Sequence, residues 1–102
     1  MSIKKITIFW RDIPSQVLIQ KGRNRKKKML EHRFQEAIDR AAMRAGKGSS
    51  DAYINEWRRV TEIIDECPDI DTLLIREVTQ LEDKYSDSEL LSLIRNHGAA
   101  QE

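Results

Sequence analysis

The 102-residue chain has one cysteine, two prolines, four glycines and no long apolar run. Each shortage excludes something. The lone thiol, Cys67, cannot build an intrachain disulfide framework, which suits a reducing compartment. Acidic neighbours should raise its pKa and dull it as a nucleophile, so an inert thiol is expected. No segment approaches the roughly 18 apolar residues of a membrane span. The opening MSIKKITIFWRD has a short apolar run broken by Thr7 and Arg11 and lacks a signal-peptide pattern, so a cytoplasmic location and no membrane partner are expected. The glycines make no phosphate-cradling pattern. His32, Cys67 and His97 are isolated, without C-x-x-C or H-x-x-x-H spacing, so neither a metal nor a cofactor is expected. Asp65, Glu66, Asp69 and Asp71 lack the spacing and glycine of an EF-hand loop. No G-x-S-x-G occurs, and neither histidine is paired with a nucleophile. An enzyme is therefore the least favoured class.

What is present is charge and short amphipathic segments. Charged residues make up 34% and hydrophobic ones 39%, a polar chain without the composition of a disordered one. The length fits a single domain over 1–102. The net charge of +1 hides a split: residues 1–47 hold 13 Lys and Arg against 4 Asp and Glu, +9, and residues 48–102 hold 5 against 13, −8. A basic and an acidic surface can coexist on such a chain.

Ile3 to Trp10 reads as a strand, with Ile6, Ile8 and Trp10 on one face and Lys5, Thr7 and Phe9 on the other. Residues 16–21, QVLIQK, read as a second strand that Gly22 ends. The RDIPS between is too short for a crossover, so the pair should form an antiparallel hairpin. Residues 25–45 read as a long helix with Leu30, Phe34, Ala37, Ile38, Ala41 and Ala45 on one face, Asn24 as N-cap and Gly46 beyond the end. Residues 51–65 stay open between helix and strand. Tyr53, Trp57, Val60 and Ile64 repeat at helical spacing, but WRRVTEII is β-branched and a two-stranded hairpin needs cover, which favours a helical turn near 51–55 and a third strand near 57–63. After Pro68, a helix starts at Asp69 or Asp71, and Ser86-Asp87-Ser88-Glu89 is a capping box opening another. Gly98 should end it, with order over about 3–97 and 98–102 a frayed tail. The fold class expected is α+β: an N-terminal antiparallel hairpin with a third strand, packed against a long helix and two C-terminal helices.

KGRNRKKK, residues 21–28, carries six cations in eight positions: Lys21, Arg23, Arg25, Lys26, Lys27 and Lys28. On a helix from 25, Lys26, Arg33, Arg40, Arg44 and Lys47 would form a basic stripe beside the apolar face. Arg25, Lys26, Lys27 and Lys28 would sit in the helix's first turn, where its dipole disfavours them. The cations could meet an acidic protein surface, the acidic half of the same chain, a phosphate backbone, or only water. No RNP-like aromatic pattern, GXXG loop or zinc-finger spacing favours nucleic acid.

IFWRDIPSQV, residues 8–17, holds a second candidate. Turn chemistry explains Asp12 as an acceptor for backbone N–H groups and Pro14 as the residue that keeps Ile13 extended. It does not explain Trp10, Arg11 or Gln16, which could belong to a recognition surface.

ITIFWRDIPSQVLIQKG, FQEAIDRAAMRAG and DAYINEWRR together resemble the virulence factor family of small bacterial proteins, whose domain also occurs in the longer conserved virulence factor C proteins. The resemblance is good over about residues 3–60; beyond that the likeness is mainly helical, acidic character. It implies a non-enzymatic accessory domain, with similar genes in some bacteria lying near corrinoid and folate one-carbon genes. The split charge without a catalytic constellation adds the expectation of a regulatory or accessory module that binds a protein partner. The resemblance marks Trp10, Arg11, Asp12, Pro14, Gln16, Asp39, Arg44, Tyr53, Trp57 and Arg58 as motif positions, and Trp10, Arg11, Asp12, Gln16, Asp39, Arg44, Trp57 and Arg58 are the expected partner-binding residues. The expectation is that Trp10 and Trp57 pack together beside a polar cluster of Arg11, Asp39, Arg44 and Arg58. The runner-up is a nucleic-acid-binding protein using the basic face of residues 21–47. The sequence sets no oligomeric state.

Overall fold

β-Branched and aromatic residues favour a pleated, half-buried strand, and Ile3–Trp10 forms β1. The computed structural model describes residues 3–46, 53–65 and 69–99. The chain turns at Arg11 and Asp12 and returns as β2, Ile13–Lys21. The strands pair antiparallel, with Ile3 opposite Lys21 and Ile8 opposite Gln16. There the register shifts: Phe9 faces Pro14, leaving Ser15 as an extra residue. Proline cannot donate to a ladder, and a bulge is one of the few places a sheet accepts it.

Gly22, at φ 61°, makes a second tight reversal with Arg23. A glycine in the first position of a two-residue loop suits this turn. The chain then forms a strand, β3, Asn24–Met29, where a helix from residue 25 was expected. Asn24 opens a strand and caps nothing. Helix α1 is His32–Arg44, and it buries Phe34, Ala37, Ile38, Ala41 and Ala42. Gly46, at φ 72°, ends it as expected, its N–H donating to Met43 O at 3.1 Å. Like-charge crowding beside the positive end of a helix dipole is removed by placing the four cations on a strand.

Tyr53 and Ile54 are helical, and after a turn at Asn55 and Glu56 the chain forms β4, Trp57–Ile64. β4 pairs antiparallel with β1, so the sheet order is β3-β2-β1-β4. Helix α2, Ile70–Lys84, starts at Asp69, whose carboxylate accepts from Asp71 N at 3.2 Å and Thr72 Oγ1 at 2.9 Å. Those two hydrogen bonds, Thr72 first, hold the Asp69 carboxyl below its ordinary pKa. Ser86 Oγ accepts from Glu89 N at 3.2 Å and opens α3, Asp87–Arg95. The domain is the α+β arrangement expected, with one strand more, and α2 with 15 residues is longer than α1 with 13.

The helices cover one side of the sheet. Lys5, Thr7 and Phe9 lie under α2 with Val17 and Val60. Ile6 and Ile8 lie on the opposite side, and Ile8 is only half-buried. Val17 and Ile19 from β2 pack with Phe34, Ile38, Leu73, Val78, Leu93 and Ile94. Burying each such aliphatic side chain is worth about 1.5–3 kcal/mol, which makes this layer the main source of stability.

Candidate functional site

The β1–β2 corner gathers most of the motif residues. Trp10 is fully buried. Its Nε1 donates to Tyr53 O at 3.0 Å, and its ring stacks on Tyr53 with centroids 5.9 Å apart. Trp57, opposite Trp10 across the strands, meets the same Tyr53 ring edge-on at 5.7 Å. Tyr53 therefore sits between the two tryptophans. Gln35 Nε2 reaches the Tyr53 hydroxyl at 3.5 Å and Asp39 Oδ1 at 3.0 Å, which links α1 to the aromatic group.

Arg11 occupies φ 53°, a left-handed conformation that costs a non-glycine residue free energy. Its side chain accounts for a large side chain there. Nη1 donates to His97 O at 2.8 Å, Nε lies 3.3 Å from Glu56 Oε2, and the guanidinium centre is 5.4 Å from the Trp10 ring. Its backbone N–H donates to Glu56 O at 3.1 Å. Arg58 answers from β4: Nε donates to Arg11 O at 2.7 Å, Nη2 to Asp12 Oδ1 at 3.0 Å, and its guanidinium covers Phe9 at 4.5 Å.

The end of α3 closes this corner. His97 N donates to Ile94 O and Gly98 N to Leu93 O, a Schellman pairing with His97 at φ 61° in the left-handed position. Gly98 is thus not the helix-ending left-handed residue that its position suggested. It is buried, and both its positive φ of 90° and its lack of room favour glycine: a Cβ there would lie 2.7 Å from Trp10 Cζ3. Gly98 O then accepts from Asp12 N at 2.9 Å. The described residues run through Ala99; residues 100–102 of the expected tail lie outside them, as do Lys47, Asp51, Glu66, Cys67 and Pro68.

Of the expected polar cluster, Arg11 and Arg58 lie together with Asp12 and Glu56. Asp39 is linked through Gln35 to the Tyr53 hydroxyl rather than to these charged groups. Arg44 is exposed in the last turn of α1 and does not join the corner's described contacts. Gln16 lies on the outer side of the sheet beside Ile8. Glu56, Tyr53 and Gly98 complete the corner; only the order Glu56-Trp57-Arg58 hinted at the first.

The expected basic stripe does not form, because Lys26 is on a strand and Arg33 is on a helix. Lys21 is half-buried; Arg23, Arg25, Lys26, Lys27, Lys28, Arg40 and Arg44 are exposed. Lys26 pairs with Asp71 at 3.3 Å. Arg33 is held within the domain: it donates to Glu82 O and Tyr85 O, both at 2.6 Å, pairs with Glu31 at 2.8 Å and lies over Phe34 at 4.4 Å. A guanidinium on the last carbonyls of α2 is favourable for the helix dipole.

Between α2 and the β1–β4 half of the sheet lies a cavity of about 310 Å³. Lys5 stands at its rim, 3.2 Å from both Glu62 and Glu77. Desolvation alone would lower its pKa, but the hydrogen bonds and charges of those two carboxylates outweigh it and raise it. Tyr85, on the same wall, is raised by burial first and then by Asp12. Among the described residues no group of three His, Cys, Asp or Glu side chains could hold a metal ion, and no helix is long and apolar enough to cross a membrane.

A family model described as a virulence factor matches residues 8–94. The chain belongs to the virulence factor family. The match covers Trp10, Arg11, Asp12, Tyr53, Glu56, Trp57 and Arg58 of the corner and ends before His97 and Gly98. No curated protein and no solved structure matches the chain.

Proposed function

We propose that this domain is a non-enzymatic cytoplasmic accessory or regulatory module that binds a protein partner. One observation carries the reading. The motif residues Trp10, Arg11, Asp12, Trp57 and Arg58 hold one another at the corner, whereas the cations of KGRNRKKK stand along β3 and its turn with Lys26–Asp71 as their one described ion pair. Clustered charge of one sign speeds and selects association with an opposite surface. The partner surface is therefore acidic. The setting that the family resemblance supplies is one-carbon and corrinoid metabolism.

Native co-purification on the tagged full chain tests this. A reproducible acidic protein should be released by high salt and lost from Arg25→Glu/Lys27→Glu; a chain that elutes alone contradicts the proposal. The same cations support the second reading, nucleic-acid binding. A gel shift that weakens steeply with salt would favour it, and no shift at low salt would eliminate it.

A further inference from the structure

The strand registers define a grid on the side of the sheet away from α2. Cross-strand partners share a face. One row reads Met29, Gln16, Ile8, Arg59; the next Lys27, Leu18, Ile6, Thr61; the third Arg25, Gln20, Lys4, Ile63. Met29, Lys27, Arg25, Lys4, Arg59, Thr61 and Ile63 are exposed, and Ile8, Gln16, Leu18 and Gln20 are half-buried. Met29 and Ile63, at opposite corners of this face, are 57% and 58% exposed. Met29, Leu18, Ile6 and Ile63 run corner to corner as an apolar diagonal with Ile8 beside it. Arg59 flanks it on one side, and Lys27, Arg25 and Lys4 on the other. The twelve positions hold four cations and no carboxylate, and none of the four is in a described ion pair.

We propose that this outer face docks one acidic amphipathic helix supplied by a partner protein. The diagonal is about 20 Å long from strand spacing and rise, which matches about 13 residues of helix. A helix with one apolar stripe and carboxylates on both flanks would cover the exposed aliphatics and meet the cations. A second copy of the chain fits poorly, because two such faces would bring four cations from each copy together without a carboxylate. Nucleic acid fits poorly because the face has no aromatic ring for a base to stack on, and phosphates gain nothing from its apolar centre. The inference rests on the protein-interaction reading and names its surface and partner class.

The test uses the full chain. A displayed library of helix-forming 18-residue peptides is selected on it, and the enriched peptides are mapped by methyl NMR. The selected peptides should be acidic, with apolar residues at i, i+4 and i+7, and should shift the Ile8, Leu18, Met29 and Ile63 methyls. Lys27→Glu/Arg59→Glu and Ile63→Asp should each weaken them at least tenfold, with unchanged melting temperature, and Arg40→Glu should change them less than twofold. Enrichment without acidic bias, binding elsewhere, or unaltered affinity in the outer-face variants overturns the proposal. So does a single-stranded RNA 20-mer or a phosphatidylglycerol vesicle shifting those methyls where no acidic peptide does. A native partner lost from Arg25→Glu/Lys27→Glu but indifferent to Arg59→Glu and Ile63→Asp would sink the outer-face proposal and leave the protein-interaction reading standing.

Discussion

Gly98 and Arg11 show how much of this domain's order rests on single positions. At Gly98 a methyl group meets the Trp10 ring at 2.7 Å, and φ is 90°. Overpacking and left-handed strain add, so Gly98→Ala should cost about 2 kcal/mol or more in a denaturant melt. A loss below about 0.5 kcal/mol would mean the ring can move aside. At Arg11 backbone and side chain can be separated. Arg11→Ala loses the ties to Glu56 and His97 and keeps the strained φ; Arg11→Gly loses the same ties and relieves it. The alanine variant should be less stable by about 1 kcal/mol. Equal stabilities would show that the turn is unstrained.

At the scale of elements, β3 is the informative case. Lysine and arginine are good helix formers, and Leu30 sits in phase with Phe34, Ala37 and Ile38, so helical periodicity extended backwards over the basic run. Two features in the same residues argued otherwise. Four cations in a first helical turn oppose the dipole, and Lys21-Gly22-Arg23-Asn24 is a two-residue hairpin turn with glycine first. Pairing with β2 decides it, and lysines on an edge strand discourage pairing with other chains. β1, the third strand and the caps at Asp69 and Ser86 were legible because each rests on local chemistry: β-branched runs, a carboxylate or a hydroxyl before a helix. The corner was legible only in part. Trp10, Arg11 and Gln16 stood out as residues without a turn role, and Arg58 only through the resemblance. Gln16 lies outside the corner, and the partners Glu56, His97 and Gly98 are distant in sequence, where no spacing rule reaches across 45 or 86 positions. If Gly22 sets the β2–β3 turn, Gly22→Ala should cost about 1 kcal/mol while adding no clash, since nothing lies within 4 Å of the new Cβ. An unchanged melt would separate that turn from the stability of the sheet.

The whole molecule divides its charge between two sides. Acids of the second half face inward onto Lys5 and Lys26 through Glu62, Glu77 and Asp71, while the outer sheet face keeps its cations exposed. The inward pairing gives an alkaline limit. Lys5 and Tyr85 both titrate higher in the folded chain than their ordinary values of 10.5 and 10.0. Their contribution is complete below those values and is lost as pH rises through the folded ones. The melting temperature should therefore fall above about pH 10, less steeply in Lys5→Met, which keeps only the Tyr85 part. A flat profile, or an identical slope in that variant, would contradict the assignment.

The division of labour between corner and sheet is the central claim, and one measurement separates the two: capture of the native protein partner by Arg11→Ala and by Lys27→Glu/Arg59→Glu, both below their melting temperatures. The corner variant should retain the partner despite lower stability, and the sheet variant should lose it with stability unchanged. Loss from Arg11→Ala with retention by Lys27→Glu/Arg59→Glu would place recognition at the corner and contradict the account.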